Sequence, residues 1–343
     1  MVEELSAAHG TPAVIVGYEG GDISPNTTVA LGSRPCIVIA VCPSTALAGH
    51  SPDWRASGPH GPMSQGGSGQ SVRGAQSRPL PAWADLVLAD DDPRLEAVTA
   101  TINRAPVAAV ALAVLLRGGA TRSIDDGLAA ESAVYSLLQA GPEFATWRQT
   151  TAIDARPQES NAVLIERDGD SLAVILNRPQ RHNAFTPVMR DGLTEAFQLA
   201  LSDPTIDHVT LQGAGPSFCS GGDLATFGSF DDPASAHIVR LTRSPARLMA
   251  QLAERFAERF EVRLHGACMG AGIELAAFAS RVVAQRDARI SLPEVALGLV
   301  PGAGGTVSIP TRIGRHRTLL LALGGTIDAA TALTWGLIDE VTE

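Results

Sequence analysis

Apolar residues along this chain fall into two registers. Ala13-Val14-Ile15-Val16, Cys36-Ile37-Val38-Ile39-Ala40-Val41 and Leu86-Val87-Leu88 are short, unbroken apolar runs bounded by turn residues, a pattern that predicts buried strands. Ala162-Val-Leu-Ile165 and Leu172-Ala-Val-Ile-Leu176 flank Asp168-Gly169, the signature of a β-hairpin, and His208-Val-Thr-Leu211 predicts the next strand. Helical spacing appears from Pro93 to Asn103, opening after Asp92, and from Val188 to Leu201, with Pro187 at its start and Asp203-Pro204 beyond its end. A further helix begins at Ser123, where Asp126 completes a start resembling a capping box. Leu128, Val134, Leu137 and Leu138 supply its apolar face, and Gly141-Pro142 end it. Val107 to Leu116 is apolar throughout, so periodicity leaves strand and buried helix both open there. Together the elements read as an α/β fold.

The stretch Leu264 to Glu274 joins these patterns. Val262 and Leu264 alternate into it, and Leu275, Ala276, Ala277, Phe278 and Ala279 leave it as a helix, so Gly266 and Gly270-Ala271-Gly272 lie in a turn between strand and helix. Such a turn aims free backbone N–H groups at one point, with the helix dipole behind them, and suits an oxygen that develops negative charge. Glu274 sits in the first helical turn, either as a plain dipole-stabilising residue or as a catalytic carboxylate. Gly213 to Asp223 forms a second Gly-rich turn at a strand end.

Composition narrows the function classes. At 343 residues, 45% of them hydrophobic and 18% charged, the chain has room for a sizeable core in one large domain or two smaller ones. A net charge of -10 supplies no basic excess to displace counterions from phosphates, so a nucleic-acid partner is not expected. No apolar run approaches the ~20 residues of a membrane span and the start lacks a signal-peptide layout, which gives the expectation of a cytoplasmic protein without a membrane partner. All 26 basic residues are arginine, which removes Schiff-base chemistry and a phosphate-binding loop lysine. Cys36, Cys42, Cys219 and Cys268 show no paired spacing, and reduced thiols with no structural metal are expected. The Gly-, Pro-, Ser- and Gln-rich stretch 44–81 reads as a flexible loop. Arg156-Pro157 reads as a linker, dividing the chain into an N-terminal α/β extension, 1–156, and a second domain, 157–343.

Five ordered motifs in that second domain resemble the crotonase, or enoyl-CoA hydratase/isomerase, superfamily. They are Leu176-Asn-Arg-Pro with Asn183-Ala184, Phe218-Cys-Ser-Gly-Gly-Asp-Leu224, His265-Gly266 with Gly270-Ala-Gly-Ile-Glu274, Leu292-Pro-Glu294, and Gly298-Leu-Val-Pro-Gly-Ala-Gly-Gly305. The resemblance covers about residues 160–343 and implies a spiral of ββα units that binds an acyl-CoA thioester. It places an oxyanion hole on the N–H groups of Gly222 and Ala271, where each donor can lower the barrier by about 3 kcal/mol. It implies two catalytic glutamates, Glu274 and Glu294, although Glu294 in a Leu-Pro-Glu turn also reads as a surface acid. Coenzyme A contacts map to Ala184, Ser220, Gly222, Asp223, Leu224 and Ala225, with Arg178 and Arg181 as candidates for the phosphates. His182 and His265 read as structural.

The resemblance implies an enoyl-CoA hydratase with no cofactor beyond the coenzyme A of its substrate, assembled as a homo-oligomer, a trimer or hexamer. An enoyl-CoA isomerase, a thioester hydrolase and a non-catalytic acyl-CoA-binding subunit are the alternatives. Glu261 and Arg263 depart from the apolar run usual in relatives and suggest an altered pocket floor or partner face. Relatives also continue with further helices where this chain stops. Residues 83–150 weakly resemble part of the same family, so they are expected either to pack as a degenerate half-copy on the core or on a neighbouring subunit, or to form an independent domain.

Overall fold

The computed structural model describes residues 11–18, 35–43, 81–151, 161–227 and 232–343. The 44–80 stretch and the Arg156-Pro157 linker lie outside them.

In the N-terminal part, β1 (Ala13–Gly17), β2 (Ile37–Cys42) and β3 (Leu86–Ala89) form a parallel sheet in the order β1-β2-β3. Four helices follow: α1 (Arg94–Arg104), α2 (Pro106–Arg117), α3 (Ile124–Gln139) and α4 (Pro142–Thr150). The open choice at Val107 to Leu116 resolves as helix, with Pro106 at its first position and Ala108, Ala109, Leu112, Ala113 and Leu116 buried. The Ser123 side chain accepts the Asp126 N–H at 3.1 Å and caps α3.

The second part opens with the antiparallel hairpin β4 (Val163–Asp168) and β5 (Ser171–Leu176). Next come α5 (Pro187–Ser202), β6 (His208–Gly213), α6 (Pro233–Thr242), α7 (Pro245–Phe256) and β7 (Phe260–Leu264). Strand–strand–helix units then follow: β7 with β8 (Ala267–Met269) and α8 (Ala271–Ala276), and β9 (Arg281–Gln285) with β10 (Arg289–Ser291) and α9 (Gly305–Gly324). The chain closes through β11 (Ile327–Asp328), α10 (Ala329–Trp335) and β12 (Glu340–Thr342). First strands of the units join a six-stranded sheet, β12-β9-β7-β6-β5-β4, and second strands join a small one, β11-β10-β8. Each unit therefore turns the chain from one sheet to the other, which places the strand-to-helix turns side by side.

The four N-terminal helices do not form an independent unit. One apolar core runs from Ile102, Leu112, Leu128 and Phe144 to Phe197, Val262, Ile273 and Leu321. Asp85, 1% exposed, anchors the small N-terminal sheet: Arg117 of α2 donates to Oδ1 at 2.8 Å and Oδ2 at 2.5 Å, and Arg315 of α9 reaches Oδ1 at 3.3 Å. Arg315 also donates to the carbonyls of Ala82 and Ala84, so a buried carboxylate and two guanidinium groups lock the sheet to α2 and α9.

Glu261 and Arg263 lie on the outward face of β7. Burial alternates along β7, so both point away from the core, where Glu261 pairs with Arg263 at 2.7 Å and Arg281 at 2.9 Å. They form a surface ion ladder.

Candidate active site

Backbone pairing brings the two Gly-rich turns together. Phe218 N–H donates to His265 O at 2.9 Å, Cys219 N–H to Ala267 O at 3.0 Å, and Met269 N–H returns to Cys219 O at 2.9 Å. The approach leaves no room for a side chain at Gly272, where a β-carbon would lie 2.8 Å from Cys219 O, and Gly270 is held at φ 47°, a conformation that side chains rarely adopt. Phe185 brackets Gly222 by donating to Gly221 O at 2.7 Å and accepting from Asp223 N–H at 2.8 Å. Ala271 opens α8, whose first internal bond is Glu274 N–H to Gly270 O. Among the described residues neither the Gly222 N–H nor the Ala271 N–H has an acceptor, so the two groups sit on adjoining turns as free donors.

Asn183 staples the first turn. Fully buried, it accepts Arg178 N–H at 2.7 Å and donates to Ala214 O at 2.9 Å and Ser217 O at 2.8 Å. His182 N δ1 contacts Ser217 Oγ at 2.9 Å and His265 Nε2 contacts Gly215 O at 3.0 Å, placing both histidines in the scaffold. Of the expected coenzyme A residues, Ala184, Ser220, Asp223, Leu224 and Ala225 do gather around this staple, with Arg181 on the neighbouring Pro179–Arg181 turn. Arg178 requires a correction. Its guanidinium is buried, donating to Ala184 O at 2.5 Å and Asp223 Oδ2 at 3.1 Å, and the Asp223 carboxylate also accepts Ala225 N–H. That ion pair fixes the turn, so Arg178 and the Asp223 side chain are not presented to a phosphate; the sequence pattern could not distinguish an internal arginine from an exposed one.

Two sequence-predicted acids enter the same region. Glu274 on α8 is 2% exposed, and its Oε2 accepts Ala303 N–H at 2.7 Å and Gly305 N–H at 3.0 Å. Burial pushes its carboxyl well above the ordinary 4.5, the charges of Glu294 and Glu131 add to this, and the two N–H donors oppose it. Glu294 heads the turn Glu294–Leu297 and is 7% exposed, so it is not a surface acid. Its Oε2 is buried with no hydrogen-bond partner, and burial raises its pKa to about 8, with Glu131 contributing.

A third acid, Glu131 of α3, was not anticipated. It is 2% exposed; Oε1 accepts Gly304 N–H at 2.7 Å, while Oε2 accepts Thr306 N–H at 2.8 Å and Thr306 Oγ1–H at 2.7 Å. Burial raises its pKa to about 7, against the pull of those donors and of Arg240. The available signal was a carboxylate on the apolar face of α3, three residues after the buried Leu128. Beside it, a small cleft lies between α3 and α6, lined by Leu128, Glu131, Ser132, Arg240, Gly302 and Gly304.

The family model for enoyl-CoA hydratase/isomerase matches residues 167–343, half of the chain. This chain belongs to the enoyl-CoA hydratase/isomerase family. It is 35% identical over 172 residues to the peroxisomal bifunctional enzyme of Cavia porcellus, a match spanning 50% of this chain and 23% of that enzyme. It is 31% identical over 180 residues to the 2,3-dehydroadipyl-CoA hydratase of Escherichia coli, covering 52% of this chain and 68% of the relative. A 1,2-epoxyphenylacetyl-CoA isomerase of Escherichia coli is 34% identical over 184 residues, 50% of this chain and 66% of the relative. Among solved structures, an enoyl-CoA hydratase from Thermoplasma volcanium aligns with TM-score 0.48 and 36% identity over 53% of this chain and 71% of that one. The enoyl-CoA hydratase/isomerase region carries Glu274, Glu294 and both Gly-rich turns, whereas α1 to α4, with Glu131, precede it.

Proposed function

We propose that this enoyl-CoA hydratase/isomerase family member adds water across the double bond of a 2-enoyl-CoA thioester. The observation that carries the reading is the pair of buried, protonatable carboxyls, Glu274 and Glu294, beside two turns whose Gly222 and Ala271 N–H groups have no acceptor among the described residues. In this reading both N–H groups donate to the thioester oxygen. One carboxylate takes a proton from water as the water oxygen bonds to C3, and the electron pair of the C2=C3 bond moves onto the thioester oxygen as an enolate. The second carboxyl then protonates C2 as the carbonyl re-forms. The glutamates hold one proton between them before and after, and burial keeps that proton in place near neutral pH because two adjacent carboxylates resist ionising together.

Arg181 and the backbone around Ala184, Ser220, Leu224 and Ala225 are assigned to coenzyme A in the same reading, and no further cofactor takes part. Similarity to a 2,3-dehydroadipyl-CoA hydratase supports hydration, and similarity to a 1,2-epoxyphenylacetyl-CoA isomerase keeps isomerisation as the second reading. Adding the protein to crotonyl-CoA tests the proposal: loss of the conjugated-thioester absorbance with formation of 3-hydroxybutyryl-CoA is expected. Migration of the double bond in a 3-enoyl-CoA without hydration would favour isomerisation, and release of free thiol would favour hydrolysis.

A further inference from the structure

Glu131 reaches the site from α3, outside the residues matched by the family. The first N–H groups of α9 and the loop before it are divided between two acids: Ala303 and Gly305 donate to Glu274, and Gly304 and Thr306 donate to Glu131. The two carboxyls therefore alternate along four successive residues. Glu131 holds the better anion site, with three donors on its two oxygens, one of them the Thr306 hydroxyl, and Arg240 nearby. Glu274 has two donors on one oxygen, and Glu294 Oε2 has none.

We propose that Glu131 is a positioning residue of this site, whose carboxylate, fixed at the start of α9, keeps a shared proton on the Glu274 and Glu294 pair. The inference rests on the hydratase reading given above. Three buried carboxyls in one low-dielectric region do not all ionise near neutral pH, and the charge settles first where donors are most numerous. An anion at Glu131 then raises the cost of charging its neighbours, in agreement with the upward push it exerts on both. The other groups that bear on it are few. Tyr135, one turn along α3, is half-buried and held protonated. Arg240 of α6 lies 4.7 Å over the Tyr135 ring and donates to Ser132. Arg247 of α7 is paired with Asp125, His237 of α6 is engaged by Ser132, and the buried Cys219 thiol near Glu274 is raised to about 12 and stays neutral.

The test compares the pH dependence of kcat/KM for crotonyl-CoA in the wild type, Glu131→Asp and Glu131→Gln. Loss of the charge should let the catalytic base ionise earlier, so the ascending limb of Glu131→Gln should lie about one pH unit below the other two. A Glu131→Gln enzyme that loses activity with its limb at the wild-type position would overturn the proposal, since a merely structural role moves the rate and not the limb. If Glu131→Gln does not fold by circular dichroism, Thr306→Val decides: Glu131 keeps its place with one donor fewer and ionises later, so the limb again moves down, and an unmoved limb overturns the idea. A wild type that does not hydrate crotonyl-CoA would instead refute the hydratase reading. The infrared band of the protonated buried carboxyls, followed with pH in wild type and Glu131→Gln, then carries the test without activity, with a downward shift expected and no shift contradicting it.

Discussion

Glu294 is seated directly against Gly270. A β-carbon on Gly270 would lie 2.2 Å from Glu294 Oε1, and the Gly270 backbone is at φ 47°, where side chains are rarely accommodated. One glycine thus gives room to the second acid and also fixes the turn that presents the Ala271 N–H. Gly270→Ala should displace both and lower kcat at least about 100-fold, while circular dichroism stays near wild type. Steady-state kinetics with crotonyl-CoA check this, and near-normal turnover would separate Gly270 from the chemistry.

Glu274→Gln and Glu294→Gln should each reduce hydration by about 100- to 10,000-fold, because the step needs both a proton acceptor and a proton donor. Neither side chain is among those assigned to coenzyme A, so calorimetry with a saturated acyl-CoA should show little change in affinity. Full activity in either variant would end the two-carboxylate mechanism.

Gly222 offers a different handle on the same chemistry. Gly222→Pro removes one of the two free N–H donors and should abolish turnover in a protein that remains folded by circular dichroism. A β-carbon there would meet the Phe227 ring at 2.4 Å, so Gly222→Ala, which keeps the N–H, should be impaired through substrate fit and show a raised KM. Equal behaviour of the two variants would argue against an oxyanion role.

The sequence made legible what local chemistry dictates. Asp168-Gly169 between two apolar runs fixed the hairpin, Ser123 fixed the start of α3, and the ordered Gly motifs located both turns that meet at the site. What it could not reveal were partners distant in the chain. Arg178 reads as a solvent-facing charge until Asp223, 45 residues later, is seen to neutralise it. Glu294 reads equally as a surface acid, because nothing in Leu292-Pro-Glu294 tells how much structure will cover it. Glu131 lies 173 residues before Gly304, and Asp85 lies 230 before Arg315, so neither pairing has a local signature.

Stability should depend on pH with a definite sign. Glu131, at about 7, and Glu294, at about 8, are raised from 4.5 by burial, so their contribution is greatest below 4.5 and is lost as pH rises through the folded values. Half-buried His316, lowered from 6.5 to about 4 by desolvation, acts oppositely: its contribution is complete above 6.5 and is lost as pH falls toward 4. The two trends oppose each other between pH 4.5 and 6.5, and only the carboxyls act between 6.5 and 8. Thermal denaturation should therefore show Tm falling across that upper window, and Glu294→Gln should flatten the fall. A Tm that rises from pH 6.5 to 8 would contradict the burial argument.

The final prediction concerns the N-terminal helices. Phe144 of α4 is 4% exposed, stacks on Trp147 with ring centroids 5.5 Å apart, and belongs to the core shared with α8 and α9. The turn at Gly298 receives the backbone of Glu143 and Phe144 so closely that a β-carbon would lie 2.6 Å from Phe144 N. A chain beginning at Gln158 would expose the part of α9 against which α1 and α2 pack, and would leave Gly304 and Thr306 without the carboxylate that accepts their N–H groups. It should aggregate or bind a hydrophobic dye, and its hydratase activity should be lost. The milder Phe144→Ala should keep the fold but cost about 3–5 kcal/mol in denaturant unfolding. A soluble, active protein starting at Gln158 would show that these helices contribute neither cover nor charge to the site.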